Sequence, residues 1–256
     1  MSLRDEADEL RRLHDDLELL VLVNVWDAAS ARVIAALPGC RAIATASHAI
    51  AAAHGYDDGE QIPRELMIAA IARIAAAVAI PVTADLEAGY GDVDATVRAA
   101  IGAGAVGANL EDAMRPFDDS VRAVEAAVAA GAAEGIPFVL NARTDVYFEP
   151  GGRAPRECID EAIRRGRAFL DAGAACVFVP GRLDASTAAA LVDGIGLRKV
   201  SVLAVPGGAT PAEFAAAGVA RVSFGPWPHL AALSALGDVG TALLAGQPLP
   251  DGIRSV

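Results

Sequence analysis

Lysine, aromatic residues and cysteine are all scarce in this sequence. It has a single lysine, Lys199, beside 20 arginines, so a Schiff-base mechanism would have to use that residue. Aromatic residues make up 5% of the chain. The three cysteines, Cys40, Cys158 and Cys176, are odd in number and widely spaced, so they form neither a disulfide framework nor a zinc-binding pattern. We therefore expect all three cysteines to be packing residues.

The chain also lacks a basic surface and a long apolar run. Its net charge of −12 argues against nucleic acid and anionic membranes as partners, because both require basic residues. No uninterrupted apolar stretch reaches the ~18 residues of a membrane span. The N-terminus carries Asp5, Glu6, Asp8 and Glu9 and is too acidic for a signal or transit peptide. We expect a cytoplasmic protein.

Short β-branched runs alternate with longer alanine-rich stretches of helical period. Eight strands, each followed by a helix, predict a parallel sheet, which right-handed crossovers can close into a (β/α)₈ barrel. The length of 256 residues is close to the roughly 250 typical of one such domain, so we predict a single domain over 1–256. An open doubly wound sheet is the alternative, but no glycine-rich loop follows the first strand. The predicted strands are 21–25, 41–46, 81–85, 106–110, 138–143, 176–179, 199–205 and 221–224, and the predicted helices are 3–19, 28–36, 63–79, 93–102, 118–134, 156–171, 184–193, 211–217 and 228–245.

Acidic residues follow two neighbouring strands of this barrel. Asp85 and Glu87 lie two residues apart at a strand end and share a face if the extended conformation persists, while Glu111 follows the next strand. Three converging carboxylates repel one another unless a cation neutralises them. Oxygen ligands of this kind suit Mg²⁺, with Mn²⁺ as a substitute. The alternative is that these acids pair with arginines or cap helices.

Arg143 is the one cationic residue at a predicted strand end on the same side of the barrel. A guanidinium in that place can bind a substrate carboxylate through two hydrogen bonds. The alternative is an ion pair with Asp112 or Asp145. The opposite ends of the strands carry few polar residues besides Arg41, Lys199 and Arg221, so chemistry is expected at the end where Arg143 lies.

Five motifs together resemble the isocitrate lyase/phosphoenolpyruvate mutase superfamily over residues 20 to 235. They are Asn24–Arg32, Gly55–Asp58, Thr83–Gly91, Asn109–Asp112 and Asn141–Asp145. The resemblance implies an α/β barrel whose last helix is exchanged between subunits, giving homodimers or homotetramers. It also implies Mg²⁺ bound directly by Asp85 and mainly through water by Asp58, Glu87 and Glu111.

The resemblance further implies a small 2-oxo or 2-hydroxy carboxylate as substrate and an enolate as the common intermediate. A Lewis acid and a guanidinium are the groups expected to stabilise its negative charge. The residues expected to act in catalysis are Arg143, Asp58 and Glu111, and those expected to bind substrate are Thr45, Ala46, Ser47, Asn141 and Arg143.

The loop after predicted strand 106–110 departs from the family pattern. Residues 113–120 contain neither the cysteine of the isocitrate lyases nor the lysine of the phosphonomutases, and the loop is shorter. We therefore predict a Mg²⁺-dependent carbon–carbon lyase or decarboxylase for a small dicarboxylate such as oxaloacetate or a substituted malate. Candidate proton donors are Tyr90, Arg115 and His48. The alternatives are a phosphonomutase or phosphonopyruvate hydrolase, and a non-catalytic relative that binds a metal and a carboxylate.

Overall fold

Parallel strands alternate with helices along the whole chain. A computed structural model describes residues 2–253, so the extreme ends of the predicted domain 1–256 lie outside the described residues. The strands are β1 Leu20–Leu22, β2 Asn24–Val25, β3 Ile43–Thr45, β4 Val82–Asp85, β5 Gly107–Glu111, β6 Val139–Arg143, β7 Cys176–Val179, β8 Val200–Leu203 and β9 Arg221–Ser223. The helices are α1 Leu3–Asp15, α2 Ala28–Ala35, α3 Ser47–Ala53, α4 Arg64–Ala75, α5 Val93–Gly102, α6 Phe117–Ala133, α7 Pro155–Asp171, α8 Ala185–Ile195, α9 Pro211–Ala216 and α10 Trp227–Leu244.

The sheet closes on itself through the first barrel strand, which is divided at Val23. Its first half, β1, pairs with β9, and its second half, β2, pairs with β3. The remaining strands follow in chain order, and every pairing is parallel. The (β/α)₈ barrel predicted from the sequence is therefore confirmed.

The structure differs from the predicted elements at several places, and α4, predicted over 63–79, ends at Ala75. The predicted strand 21–25 is divided, and α1 ends at Asp15 rather than at residue 19. Asp16 is extended, with ψ 153°, and consecutive acidic residues oppose the negative end of the helix dipole. Helix α3 was not predicted, because the polar pair that opens it resembled a strand-end loop. Its alanine-rich body extends to Ala53, and Gly55 then turns the chain with a φ of +79°.

Helix α1 covers the N-terminal end of the barrel. Ala7, Leu10 and Leu13 are buried against the lower ends of the strands, where they join a cluster that includes Leu22. The approach depends on Gly107, because a Cβ there would lie 2.9 Å from Cδ2 of Leu10 and 2.6 Å from the carbonyl oxygen of Val139. A fully buried leucine contributes about 1.5–3 kcal/mol. Helix α1 therefore closes this end of the barrel interior.

Helix α10 stands apart from this packing. Of its side chains, only His229 is buried, while Leu233, Leu236, Leu243 and Leu244 are exposed. Within residues 2–253, none of the helices has both the length and the apolar character that a bilayer crossing requires. The expected cytoplasmic location stays a prediction.

Candidate active site

A cavity of about 240 Å³ opens at the C-terminal ends of the barrel strands. One side is polar, and the opposite wall is formed by aromatic, leucine and proline side chains. The structure brings five of the predicted site residues to its lining, whereas Thr45, Glu87, Glu111 and Asn141 lie around or beneath it. The lining residues are Asn24, Ala46, Ser47, His48, Asp58, Asp85, Asn109, Arg143, Phe148, Phe178, Pro180, Leu203, Ser223, Gly225 and Pro226.

Asp85 ends β4 with one carboxylate oxygen held and the other free. Oδ2 accepts hydrogen bonds from the backbone N–H of Ser47, at 3.1 Å, and from the Ser47 hydroxyl, at 2.8 Å. The backbone N–H of Asp85 donates to Oγ1 of Thr45, which fixes the end of the strand. Oδ1 accepts no hydrogen bond from the residues that the structure describes, so it is available to a ligand in the cavity.

Glu87 lies behind Asp85 and is almost fully buried. Its backbone has a φ of +49°, in the left-handed region, which turns the side chain toward the loop that follows α3. Its Oε2 accepts from the backbone N–H of Glu60, and its Oε1 lies 3.3 Å from the Tyr90 hydroxyl. Burial raises the pKa of Glu87 to about 7, and the charges of Asp85 and Asp58 add to that effect. Asp58 is exposed at the rim of the cavity.

Glu111 and Arg143 end neighbouring strands and are level in the pairing register. Nη1 of Arg143 lies 2.7 Å from Oε2 of Glu111, and Nε lies 2.6 Å from Oδ1 of Asp145. The Asp145 pairing weighed for Arg143 is therefore present. Burial raises the pKa of Glu111 to about 8, helped by Asp145, Asp85 and Glu87 against the opposing effect of the guanidinium.

The Arg143 guanidinium keeps one nitrogen for the cavity. Its Nη2 makes no hydrogen bond to the described residues, and its Cζ lies 5.4 Å from the centre of the Phe148 ring. Burial works against the charged form of Arg143, but Glu111 and Asp145 outweigh burial and raise its pKa. The group is thus a permanently charged donor, held in place by two carboxylates.

Asp112, the residue after Glu111, does not line the cavity but holds neighbouring loops together. Its Oδ2 pairs with Nη1 of Arg165 at 3.0 Å, and its Oδ1 accepts from the backbone N–H of Met114 and of Asp145. The weighed pairing of Arg143 with Asp112 is therefore wrong, because Asp112 is held by Arg165 on α7. This arrangement fixes the loops after β5 and β6 relative to each other.

A sequence profile of the phosphoenolpyruvate phosphomutase family matches residues 10–244, which covers most of the barrel. The chain belongs to this family. A provisionally assigned phosphonomutase from Burkholderia cenocepacia has 39% identity and a TM-score of 0.88, over 94% of this chain and 99% of that one.

The chain is also similar to an oxaloacetate acetylhydrolase and to a 2,3-dimethylmalate lyase. An oxaloacetate acetylhydrolase, solved with its product oxalate, has 28% identity and a TM-score of 0.86, over 97% of this chain and 91% of that one. The 2,3-dimethylmalate lyase of Eubacterium barkeri is 30% identical over 190 residues, which cover 68% of this chain and 62% of the lyase. The predicted membership of the isocitrate lyase/phosphoenolpyruvate mutase superfamily is confirmed. Its members are lyases or mutases and generally depend on Mg²⁺.

The acidic residues of this family member fit a Mg²⁺ ion bound largely through water. Within residues 2–253, no three carboxylate, histidine or cysteine groups are close enough together to enclose a metal directly. Mg²⁺ usually keeps several waters and takes one or two carboxylates, and Oδ1 of Asp85 is a free carboxylate oxygen. Burial raises the pKa of Glu87 and of Glu111, and nearby carboxylates add to the rise, so a cation here would offset the repulsion among these acids.

The three candidate proton donors lie in different surroundings. The Tyr90 hydroxyl is bound to Glu87, and burial raises its pKa. Arg115 donates to the backbone carbonyls of Glu111 and Asp112. Neither lines the cavity, whereas His48 does. His48 is therefore the one of the three that can reach a molecule in the cavity.

Sequence reasoning did not assign several lining residues a role. Ser223 and Leu203 come from the last two strands, where no charged motif marked a site, and Phe178 forms part of the apolar wall. Asn109 was part of a recognised motif but received no function. The sequence did offer one signal for Asn109: it lies near the end of a strand beside the one that Asp85 ends, and the structure pairs the two residues in the β4–β5 register.

Proposed function

We propose that this protein is a Mg²⁺-dependent carbon–carbon lyase or decarboxylase for a small 2-oxo or 2-hydroxy dicarboxylate, such as oxaloacetate or a substituted malate. The proposal rests on one observation: Asp85, with a carboxylate oxygen free of hydrogen bonds, and Arg143, with a nitrogen free of them, line the same small cavity. A cavity of about 240 Å³ suits a molecule of this size and excludes large substrates.

Different residues around the cavity would bind the metal ion and the substrate. Asp85 would bind Mg²⁺ directly, and Asp58, Glu87 and Glu111 would hold the ion mainly through water. Bound Mg²⁺ supplies a Lewis acid for the oxygen on which negative charge develops. Ala46 and Ser47 line the cavity, where a substrate would contact them, while the fully buried Thr45 supports the Asp85 backbone.

Arg143 binds a substrate carboxylate and orients it. Its Nη2 faces the cavity, while Glu111 and Asp145 hold the rest of the guanidinium and prevent it from rotating. A preorganised donor of this kind stabilises charge in the transition state without having to reorient. Arg143 is also the one lysine or arginine on the lining within the described residues.

The chemistry needs a bond to break and a proton to be delivered. In decarboxylation of oxaloacetate the C3–C4 bond breaks, carbon dioxide leaves, and the electron pair forms the enolate of pyruvate. In cleavage of a 2-hydroxy dicarboxylate the C2–C3 bond breaks, the hydroxyl proton is lost, and the electron pair stays on the leaving fragment. A proton then adds to the carbon that holds the pair, and His48 or water in the cavity delivers it.

Phosphonate chemistry is the second candidate function. The family profile and the relative from Burkholderia cenocepacia favour it by their descriptions. Phosphoryl transfer needs several cationic groups around the phosphorus, but Arg143 is the one arginine or lysine among the described residues that lines the cavity, and Arg115 is bound to backbone carbonyls away from it. The carbon–carbon reaction is therefore favoured.

A panel of oxaloacetate, 2,3-dimethylmalate and phosphonopyruvate tests both candidates, with pyruvate and acetate followed by ¹H NMR, oxalate by ¹³C NMR and phosphorus by ³¹P NMR. We expect pyruvate release in Mg²⁺ and none in chelator. Because Asp85→Asn keeps the shape but weakens the ligand, it should slow the reaction at least about 100-fold. Oxaloacetate decarboxylates slowly with free Mg²⁺, so a sample without enzyme sets the baseline.

Equal rates in Asp85→Asn and the unsubstituted protein would contradict this mechanism. Turnover of phosphonopyruvate alone would favour the second candidate. Tight oxalate binding with no turnover of any compound would indicate a non-catalytic relative.

We also propose that a second copy of the chain covers α10, in a homodimer or homotetramer. The exposed leucines of α10 support this, since an apolar helix of 18 residues with one buried side chain is costly in water. The exchange of this helix between subunits is part of the same proposal.

A further inference from the structure

A polar layer lies inside the barrel, directly beneath the cavity. Arg221 of β9 and Asn109 of β5 face each other across the barrel, because four strand steps separate them in the closed sheet of eight. Nη2 of Arg221 lies 3.1 Å from Oδ1 of Asn109. Nδ2 of Asn141 donates to the same oxygen at 2.7 Å and to the Ser201 hydroxyl at 3.3 Å. The Arg221 side chain thus crosses the barrel to reach the floor of the cavity.

The guanidinium determines which way the Asn109 amide points. Arginine carries donors and no acceptor, so the Asn109 atom that faces Arg221 must be the carbonyl oxygen. The amide nitrogen, Nδ2, then points to the other side. It donates no hydrogen bond to any residue that the structure describes, and Asn109 lines the cavity. Nδ2 is therefore a fixed N–H donor offered to whatever occupies the cavity.

Arg221 has little other bonding to explain its burial. It is 1% exposed, and its Nε and Nη1 have no partner within residues 2–253. Burial lowers its pKa to about 10, so it remains charged at neutral pH. A buried, incompletely bonded cation is costly, and an apolar residue would fill the barrel at lower cost. The hydrogen bond to Asn109 gives the buried Arg221 guanidinium a role at the site, because it orients a side chain that lines the cavity.

We propose that Asn109 is a substrate-binding residue whose Nδ2 donates to a substrate oxygen beside Asp85, and that Arg221 is the positioning residue that orients it. The proposal rests on the proposed function for the identity of the ligand, a small dicarboxylate. Asn109 is level with Asp85 in the β4–β5 register, so its donor reaches the oxygen nearest that carboxylate. A neutral N–H there stabilises negative charge without pairing with the surrounding acids.

The orientation can be tested without a ligand, because the chain contains only three asparagines, Asn24, Asn109 and Asn141. Selective ¹⁵N-asparagine labelling gives three side-chain amide pairs, and Asn109→Asp identifies one of them by its loss. We expect the Asn109 protons to exchange with water faster than those of Asn141, and their shifts to change in Arg221→Met. Ser201→Ala is the control, and it should leave the Asn109 pair nearly unchanged. Slow exchange at Asn109, or unchanged shifts in Arg221→Met, would overturn the positioning role.

Oxalate with Mg²⁺ tests the donor role, by calorimetry and by the same amide signals. Oxalate should shift the Asn109 pair in the unsubstituted protein. Asn109→Asp keeps the partner of Arg221, so it should fold with an unchanged or higher Tm yet bind oxalate at least about tenfold more weakly. Asn109→Leu removes the donor without adding charge and should lose a similar factor. Arg221→Lys, which keeps a donor, should bind oxalate better than Arg221→Met.

The outcomes separate this inference from the proposed function. Oxalate that binds without moving the Asn109 pair would overturn the donor role and leave the proposed function intact. Full oxalate affinity in Asn109→Leu would overturn it as well, since charge would then explain the loss in Asn109→Asp. No oxalate binding to the unsubstituted protein would overturn the dicarboxylate ligand and the proposed function together, while the ligand-free spectra still decide the role of Arg221.

Discussion

Arg165 on α7 holds the frame of the candidate site from outside the cavity. Its guanidinium pairs with Asp112 and also donates to the Ser120 hydroxyl and to the carbonyl of Arg115. Both members of the pair are almost fully buried, so loss of Arg165 leaves the charge of Asp112 uncompensated. Through Asp112, which accepts from the backbone N–H of Asp145, Arg165 supports the loops that follow β5 and β6.

We predict that Arg165→Met lowers the free energy of unfolding by about 3–5 kcal/mol, because Asp112 stays buried without its partner. The double variant Asp112→Asn with Arg165→Met should be more stable than Arg165→Met alone, because it removes the uncompensated charge. Urea unfolding followed by circular dichroism measures both. A loss below about 1 kcal/mol in Arg165→Met would mean that the pair behaves like a surface salt bridge.

Helix α1 carries a buried histidine at its last turn. Nδ1 of His14 donates to the carbonyl of Leu10 at 2.8 Å, and Nε2 has no partner within the described residues. Burial, helped by the charge of Arg221, lowers the pKa of His14 to about 3 from its ordinary value of 6.5. The helix that closes the lower end of the barrel thus contains a group that stays neutral while the protein is folded.

This burial predicts a loss of stability in acid. Between pH 6.5 and pH 3 the unfolded chain binds a proton at His14 and the folded chain does not, so the free energy of unfolding falls as the pH falls. The contribution lost between pH 7 and pH 5 is about 2 kcal/mol. His14→Leu should remove that part of the pH dependence, and urea unfolding at the two pH values measures it. Parallel losses in the variant and the unsubstituted protein would contradict the prediction.

Alternation of strands and helices was enough to predict the barrel, since it depends only on hydrophobic periodicity. Asp85 and Arg143 could be placed at the mouth because the C-terminal ends of parallel strands meet there. Arg221 was assigned to the opposite end because it begins its strand, but its long side chain crosses the interior to Asn109. The partners of Arg143 and Asp112 depend on which side chains meet between strands, and local sequence does not encode that.

At the scale of the whole molecule, α10 presents four exposed leucines that the described part of the chain leaves uncovered. Its exposed leucines at 233, 236, 243 and 244 are spaced with the helical period, so they lie on one side of the helix, and the barrel leaves that side uncovered. Trp26 packs against His229, with ring centres 4.8 Å apart, and anchors the first turn. Beyond that turn none of the described side chains of α10 is buried.

We predict that the protein is a dimer or tetramer and that Leu236→Asp with Leu243→Asp shifts it toward monomer, because charges then replace apolar contacts. Size-exclusion chromatography with light scattering measures the change. Leu17→Asp is the matched control, since Leu17 is 90% exposed on another surface and should not affect assembly. A monomeric unsubstituted protein at micromolar concentration would contradict the prediction.

The Asn24 side chain connects the first strand of the barrel with the segment between the last strand and the last helix. Its Oδ1 accepts from the backbone N–H of Phe224 and of Gly225, both at 2.8 Å, and its Nδ2 donates to the carbonyl of Thr45 at 2.9 Å. Gly225 also lines the cavity and immediately precedes Pro226, where α10 begins. One asparagine side chain therefore sets both the closure of the barrel and the direction in which α10 leaves it. A displacement of α10 at its first turn would move the cavity lining directly, because Gly225 and the N-cap Pro226 both line the cavity.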